Sequence, residues 1–121
     1  MTKLKRLPTK YVRDRAKSAY NKGTECFVCT TAEELEFHHF YTVSILLNTW
    51  IRKNRLDPEN ILDFRDRFIE EHKTELYDET VTLCKNHHAS LHMVYGKNPA
   101  LGTAPKQKKW VEIQKEKHGA I

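Results

Sequence analysis

Long apolar runs and cysteines are both scarce in this sequence. Its longest apolar stretch, VSILL at residues 43–47, falls far short of the ~20 residues that a helix needs to cross a bilayer. The N-terminal segment MTKLKRLPTK carries charge without an apolar core, so we expect no secretory signal. These two absences argue against a membrane protein and predict one that works in a reducing cytoplasm.

Three cysteines among 121 residues are an odd number, which argues against a disulfide framework. In a reducing cytoplasm, cysteines serve instead as free thiols or metal ligands. The chain shows no internal repeat or low-complexity segment, and its length is that of one compact domain, residues 1–121. A domain of this size buries a modest core, and a bound metal would stabilise it.

Positive charge is concentrated at the two ends of the chain. Residues 1–22 and 97–117 are basic, residues 57–79 are acidic, and the formal net charge is +5. Basic ends around a histidine-rich centre suit a polyanionic partner such as nucleic acid. On charge alone, a solvated charged surface explains the pattern equally well.

Hydrophobic periodicity and turn residues predict an α+β fold. The predicted order is a basic N-terminal helix ended by Gly23 (1–23), a cysteine turn and a first strand (24–41), a helical hairpin (42–77), a second strand that runs into a histidine-rich helix (78–96), and a basic tail with a closing helix from residue 106 (97–121). Each hairpin helix carries an apolar stripe that is expected to be core. The two stripes are Val43, Leu46, Leu47, Trp50 and Ile51, and then Ile61, Phe64, Phe68, Ile69 and Leu76.

The cysteines occur at spacings typical of a zinc site. Cys26 and Cys29 are separated by two residues, as in turns that present two thiolates to one zinc ion. Cys84 and His87 have the same spacing, so the two pairs complete a Cys₃His site that uses every cysteine of the chain. His88 in place of His87 is an alternative ligand. Burial of the thiols as small apolar groups is the simpler explanation, but it does not account for two matched pairs.

Four histidines remain near this zinc site. His88 and His92 are four residues apart on a helix and share one face, while His87 points about 100° away from His88. His38 and His39 lie on the first strand. Surface histidines would explain one such pair, but two pairs beside one closed zinc site favour a second, open metal site. Three of the four can bind the ion, and the fourth can take a proton from water.

The combination resembles the HNH endonucleases, the ββα-metal class. The strands EFHHF and TVTLC, the helix KNHHASLH and the two zinc pairs carry the resemblance, over residues 26–41 and 78–96. These segments are under a third of the chain. The continuation VYGKNPALGT is similar to small phage-encoded members. The resemblance implies a ββα-metal core with a structural zinc, to which the N-terminal helix, the hairpin as an insertion and the C-terminal helix are added.

Site roles follow from the resemblance residue by residue. His38, His88 and His92 would bind the catalytic ion, and His39 would be the general base. Glu79 stands where the family has an Asn that helps to orient the base, and an ionised Glu cannot donate a hydrogen bond. Either Asp78 or Glu79 therefore does an altered job, or the orienting contact comes from elsewhere.

The resemblance also implies hydrolysis of DNA phosphodiesters with one divalent ion, which could be Mg²⁺, Mn²⁺, Zn²⁺, Ni²⁺ or Co²⁺, beside the structural Zn²⁺. Basic residues of the two ends would hold the DNA backbone. They are Lys5, Arg6, Lys10, Arg13, Lys17, Lys108 and Lys109. The expected setting is the cytoplasm of a bacterium or a phage-infected host, with a homodimer or a larger phage or recombination complex as further partners. The alternatives are a zinc-stapled nucleic-acid-binding module without catalysis and a non-catalytic phage or structural accessory protein.

Overall fold

The computed structural model describes residues 4–119, which form an α+β fold. The predicted α+β class is confirmed, and the two predicted strands pair in an antiparallel sheet. Along the chain the elements are α1 (Pro8–Ala16), β1 (Leu35–His39), α2 (Val43–Lys53), α3 (Ile61–Glu71), β2 (Thr80–Cys84), α4 (Lys85–Tyr95) and α5 (Ala104–Gly119). A π-helical turn, Thr74–Asp78, precedes β2. None of the helices in this part of the chain is long and apolar enough to cross a membrane.

Strand β1 sorts its side chains onto two faces. It pairs with β2 in a register that sets Leu35 opposite Cys84 and His39 opposite Thr80. Because successive side chains of a strand point to opposite faces, adjacent histidines in the sequence face different surroundings. His38 is buried at 4% exposure and contacts α4, whereas His39 packs against Tyr20 on the other side.

The hairpin helices and α1 enclose one hydrophobic core. The stripe predicted on α2 is buried in full, and Ile61, Phe64 and Phe68 of α3 are buried against it. Val12 of α1 belongs to the same cluster, and so does Leu76 of the π-helical turn. A 3₁₀ turn, Pro58–Asn60, leads into α3, and Asp57 caps this turn by accepting a hydrogen bond from the Glu59 backbone N–H.

A second core lies beneath the sheet and the cysteine turn. Its buried members are Cys26, Val28, Phe40, Leu83, Cys84, Leu91, Ala104 and Val111. The last two belong to α5, which therefore packs on the same core as α4. The closing helix was predicted from residue 106, after a loop, and this start is wrong by two residues, since α5 begins at Ala104. Proline is tolerated in the first turn of a helix, which explains Pro105 there.

Two predicted helices end earlier than expected. Helix α1 ends at Ala16 and tightens into a 3₁₀ turn to Ala19, well before Gly23, and Tyr20 then stacks on Phe37 with ring centroids 4.8 Å apart. Helix α3 was predicted to reach Leu76 but ends at Glu71. There the His72 ring stacks on Phe68 and its Nδ1–H donates to the Phe68 carbonyl at 2.8 Å, which occupies an acceptor at the helix end.

Candidate active site

The three cysteines and His87 come together at one point, as the spacing predicts. Their ligand atoms all lie within 4.8 Å of one another. Cys29 Sγ is 3.9 Å from Cys84 Sγ, and His87 Nδ1 is 3.2 Å from Cys84 Sγ and 3.8 Å from Cys26 Sγ. A tetrahedral ion with zinc–sulfur bonds of about 2.3 Å separates its sulfurs by roughly 3.8 Å. The donor set therefore fits zinc, and occupancy by zinc stays a prediction.

Backbone hydrogen bonds shape the turn that carries the first cysteine pair. The Cys26 N–H donates to the Thr31 carbonyl at 2.8 Å, and the Thr30 N–H returns to the Cys26 carbonyl at 2.9 Å. The Phe27 N–H donates to the Thr82 carbonyl at 2.9 Å, which ties the turn to β2. Burial opposes ionisation of the Cys26 thiol, but backbone hydrogen bonds, foremost from Cys29, lower its pKa below the ordinary value. The turn thus favours the thiolate that a metal requires.

Three further imidazoles meet on the other side of α4. His88 Nε2 lies 3.1 Å from His38 Nδ1 and 3.0 Å from His92 Nε2. His38 comes from β1, while His88 and His92 are one helical turn apart on α4. His87 belongs to the cysteine cluster instead, so the two neighbouring histidines serve different clusters.

The orientation of His38 is set by a residue that the sequence did not single out, Gln107 of α5. The His38 Nε2–H donates to Gln107 Oε1 at 2.8 Å, and the Gln107 amide nitrogen donates to the Phe40 carbonyl at 3.1 Å. Because a carbonyl only accepts, the second bond fixes which end of the amide faces His38. Gln107 is fully buried. A glutamine between Ala104 and Val111 at helical spacing was the available signal, but only the lysines of this segment were singled out.

The two helical histidines are oriented in the same way. The His88 Nδ1–H donates to the Glu36 carboxylate at 2.8 Å, and the His92 Nδ1–H donates to the Gly96 carbonyl at 2.7 Å. Glu36 was also missed, although the two-residue period of β1 places it on the face of His38. Gly96 ends α4 with φ 89°, a backbone conformation that glycine adopts readily.

Together these bonds decide where the three ring lone pairs point. Each outer ring nitrogen gives its proton to an oxygen that only accepts, so in the neutral rings the inner nitrogens carry lone pairs. The inner nitrogens are His38 Nδ1, His88 Nε2 and His92 Nε2. The His88 nitrogen lies about 3 Å from each of the other two. Lone pairs at this separation repel unless a cation lies between them. The arrangement matches metal sites in which hydrogen bonds orient the histidine ligands.

His39 occupies a separate aromatic environment next to this cluster. Its Nε2–H donates to the Leu76 carbonyl at 3.0 Å, which leaves the lone pair on Nδ1. Tyr20 and Phe37 meet the ring edge-on at centroid distances of 5.0 and 5.1 Å. Burial lowers the pKa of His39 to about 4, so the ring is neutral at physiological pH. The group that orients the predicted base is therefore a backbone carbonyl of the π-helical turn.

Glu79, the residue expected near the base, lies in a different place. Its carboxylate forms an ion pair with Lys108 of α5, and its backbone carbonyl accepts from the Phe40 N–H at 3.1 Å. Among residues 4–119, the structure gives no hydrogen bond between the Glu79 side chain and His39. A direct role for Glu79 at His39 is not supported by this geometry, which assigns the orienting contact to Leu76.

One cavity of about 450 Å³ contains both the three-histidine cluster and His39. Of the basic residues predicted to hold DNA, Arg13 and Lys17 line this cavity. Arg6, Lys17 and Lys108 are each paired with an acidic side chain, Arg6 and Lys17 both with Asp14. The other three predicted contacts are exposed on the ends of the chain: Lys5, Lys10 and Lys109.

The ring protons are a direct test of this geometry. In protein freed of any ion at the three-histidine cluster, we expect His38 and His39 to carry the proton on Nε2, and His88 and His92 to carry it on Nδ1. Long-range ¹H–¹⁵N correlation spectra at alkaline pH distinguish the two tautomers. The opposite tautomer at His38, His88 or His92 would mean that the lone pairs do not converge.

Comparison with known proteins places the chain in a family. No solved structure matches it. The model of the phage T5 nicking endonuclease family, described as the Nicking endonuclease family, matches residues 1–120. This match extends over the cysteine turn, both strands, the histidine-rich helix and also the hairpin and basic ends, which the earlier resemblance did not cover. The chain therefore belongs to the phage T5 nicking endonuclease family, a family of nucleases that nick DNA.

Proposed function

We propose that this nicking endonuclease is a metal-dependent enzyme of the HNH type, with one catalytic divalent ion on His38, His88 and His92. The observation that carries the proposal is the convergence of three imidazole lone pairs, each aimed by a hydrogen bond on the far side of its ring. Three protein ligands and open positions toward a cavity are typical of a catalytic metal site. Imidazole ligands suit Zn²⁺, Ni²⁺, Co²⁺ and Mn²⁺ better than Mg²⁺.

His39 is the general base of the proposed reaction. Its Nδ1 lone pair is free because Nε2 is held by the Leu76 carbonyl. His39 takes a proton from a water, whose oxygen attacks the phosphorus in line with the departing 3′-oxygen. The phosphorus–O3′ bond breaks, leaving a 5′-phosphate and a 3′-hydroxyl after solvent protonates the 3′-oxygen. When bound, a divalent ion supplies positive charge to a non-bridging phosphate oxygen and to that leaving group.

A structural zinc on Cys26, Cys29, Cys84 and His87 is the second part of the proposal. These residues join the cysteine turn to the junction of β2 and α4. His88, a ligand of the proposed catalytic ion, directly follows His87 there. A zinc ion here would hold α4 against β1 and thereby maintain the distance between His38 and His88. The alternative function, a zinc-stapled DNA-binding module, shares this site but has no use for the second cluster.

Two histidine variants separate the base from the ligands. His39→Ala should lower the plasmid nicking rate by about 10²- to 10⁴-fold, because it removes the proton acceptor, while its affinity for Mn²⁺ stays that of the wild type. His92→Ala should weaken Mn²⁺ binding as well as nicking, because it removes a ligand. Nicking time courses and calorimetric Mn²⁺ titration give the two readouts.

Equal nicking by wild type and His39→Ala would contradict the base assignment. Nicking that is undiminished after removal of all divalent ions would contradict metal dependence. Absence of nicking by the wild type with every ion tried, while zinc remains bound, would favour the binding module instead.

The structural zinc is tested by stability rather than activity. Metal analysis of the wild type should find one zinc per chain that survives a mild chelator sufficient to remove the ion from the three-histidine cluster. Cys26→Ser should lose this zinc and unfold at markedly lower temperature, because metal-binding energy is folding energy in such sites. A Cys26→Ser protein with unchanged thermal unfolding and unchanged zinc content would contradict the assignment.

A further inference from the structure

We propose that the cavity binds the backbone of the cut strand through phosphates on both sides of the scissile one. Arg13 and Lys17 would hold the phosphate on one side, and Lys97 and Asn98 the phosphate on the other. This inference rests on the proposed function, since it places the scissile phosphate at the histidines. It adds a second set of contacts, from the segment after α4, to the basic helix that the sequence indicated.

The first set of contacts lies at the His39 end of the cavity. Arg13 lies on α1, Lys17 begins the 3₁₀ turn that directly follows α1, and both line the cavity. Tyr20 and His39 line the same cavity as these two basic residues. Within residues 4–119 no carboxylate lies at ion-pair distance from Arg13, so its charge is available to a ligand.

Helix α1 is held firmly in this position. Val12 and Ala16 are buried at 0% and 1% exposure, and Arg15 Nε donates to the Asp66 carboxylate of α3 at 3.1 Å. Arg13 and Lys17, which each directly follow one of these buried residues, are exposed. The hairpin thus packs against α1 and holds Arg13 and Lys17 at the cavity. In the proposal, the hairpin therefore contributes indirectly to substrate binding.

The second set lies at the other end of the cavity, beside His92. Lys97 and Asn98 directly follow α4, and both line the cavity. Their short segment is anchored on each side, because the Gly96 carbonyl accepts from the His92 ring at 2.7 Å and the Pro99 carbonyl accepts from the buried Thr42 hydroxyl at 2.5 Å. A segment fixed at both ends presents its side chains with little loss of conformational entropy on binding.

The three-histidine cluster and His39 line the same cavity as the two sets, and in the proposal they lie between them. Their position allows one phosphate to sit at the ligands and His39 while its neighbours meet the basic residues. A volume of about 450 Å³ is that of a site for one drug-sized molecule, and a nucleotide is of that size. In the proposal the scissile phosphate therefore sits inside the cavity, and its two neighbours sit at the exposed basic residues of the two sets.

The test replaces single phosphates of a duplex oligonucleotide by uncharged methylphosphonates. The modified phosphate then lies on one side of the scissile bond or on the other, depending on which neighbouring bond is cut. With the wild type and Mn²⁺, the rate of cleavage at either neighbouring bond should fall on the order of tenfold, because one charge-assisted contact is lost. Arg13→Gln should cleave unmodified DNA more slowly than the wild type. Its cleavage rate should no longer depend on a methylphosphonate on one side of the scissile phosphate, but should still fall with one on the other side. Lys97→Gln should become insensitive on the opposite side.

Two further variants serve as controls. Arg13→Lys should restore much of the one-sided sensitivity, because it restores the charge. Lys53→Gln, at an exposed position at the end of α2, changes the net charge equally and should retain sensitivity on both sides. If the wild type nicks but Arg13→Gln and Lys97→Gln respond to both modifications as it does, the two-sided contact is wrong. If the wild type does not nick with any divalent ion, the proposed function fails and the two-sided contact with it.

Discussion

The repulsion between three imidazole lone pairs is the constraint on which the site depends. Gln107, Glu36 and the Gly96 carbonyl each take the outer proton of one ring, and these bonds commit the inner nitrogens to face one another about 3 Å apart. Folding alone gains nothing from such a cluster, because uncompensated buried lone pairs are costly. The cluster is therefore best explained by a cation that the proposed function needs.

Each of the two hydrophobic cores positions a different part of this site. The core beneath the sheet carries the cysteine cluster and α5, and through Gln107 it fixes His38. The hairpin core carries α1 and the π-helical turn, and through the Leu76 carbonyl it fixes His39. Metal binding and proton transfer are thus oriented by different halves of the protein. Strand β1 joins the halves, since its alternation sends the two adjacent histidines to opposite faces.

Residues with a chemical signature could be predicted from the sequence, whereas those that act through a single hydrogen bond could not. The spacing of the cysteines and histidines predicted which residues form each cluster, because ligand geometry limits how many residues can separate two ligands on one turn or helix. The stripe on α2 followed from helical periodicity. Gln107 was missed because a neutral amide in the predicted closing helix has neither the charge nor the ligand spacing that marks a site residue. The Leu76 carbonyl that contacts His39 has no side-chain signature, so the sequence left open whether Asp78, Glu79 or another group orients the base; the Glu79 carboxylate pairs with Lys108.

Anomalous diffraction from crystals soaked in Mn²⁺ tests the central claim most directly. The account predicts one manganese ion bonded to His38 Nδ1, His88 Nε2 and His92 Nε2, with coordination positions open toward the cavity, and a separate zinc ion on the cysteine cluster. Manganese bound elsewhere, or no manganese at the three histidines under concentrations that support nicking, would contradict it.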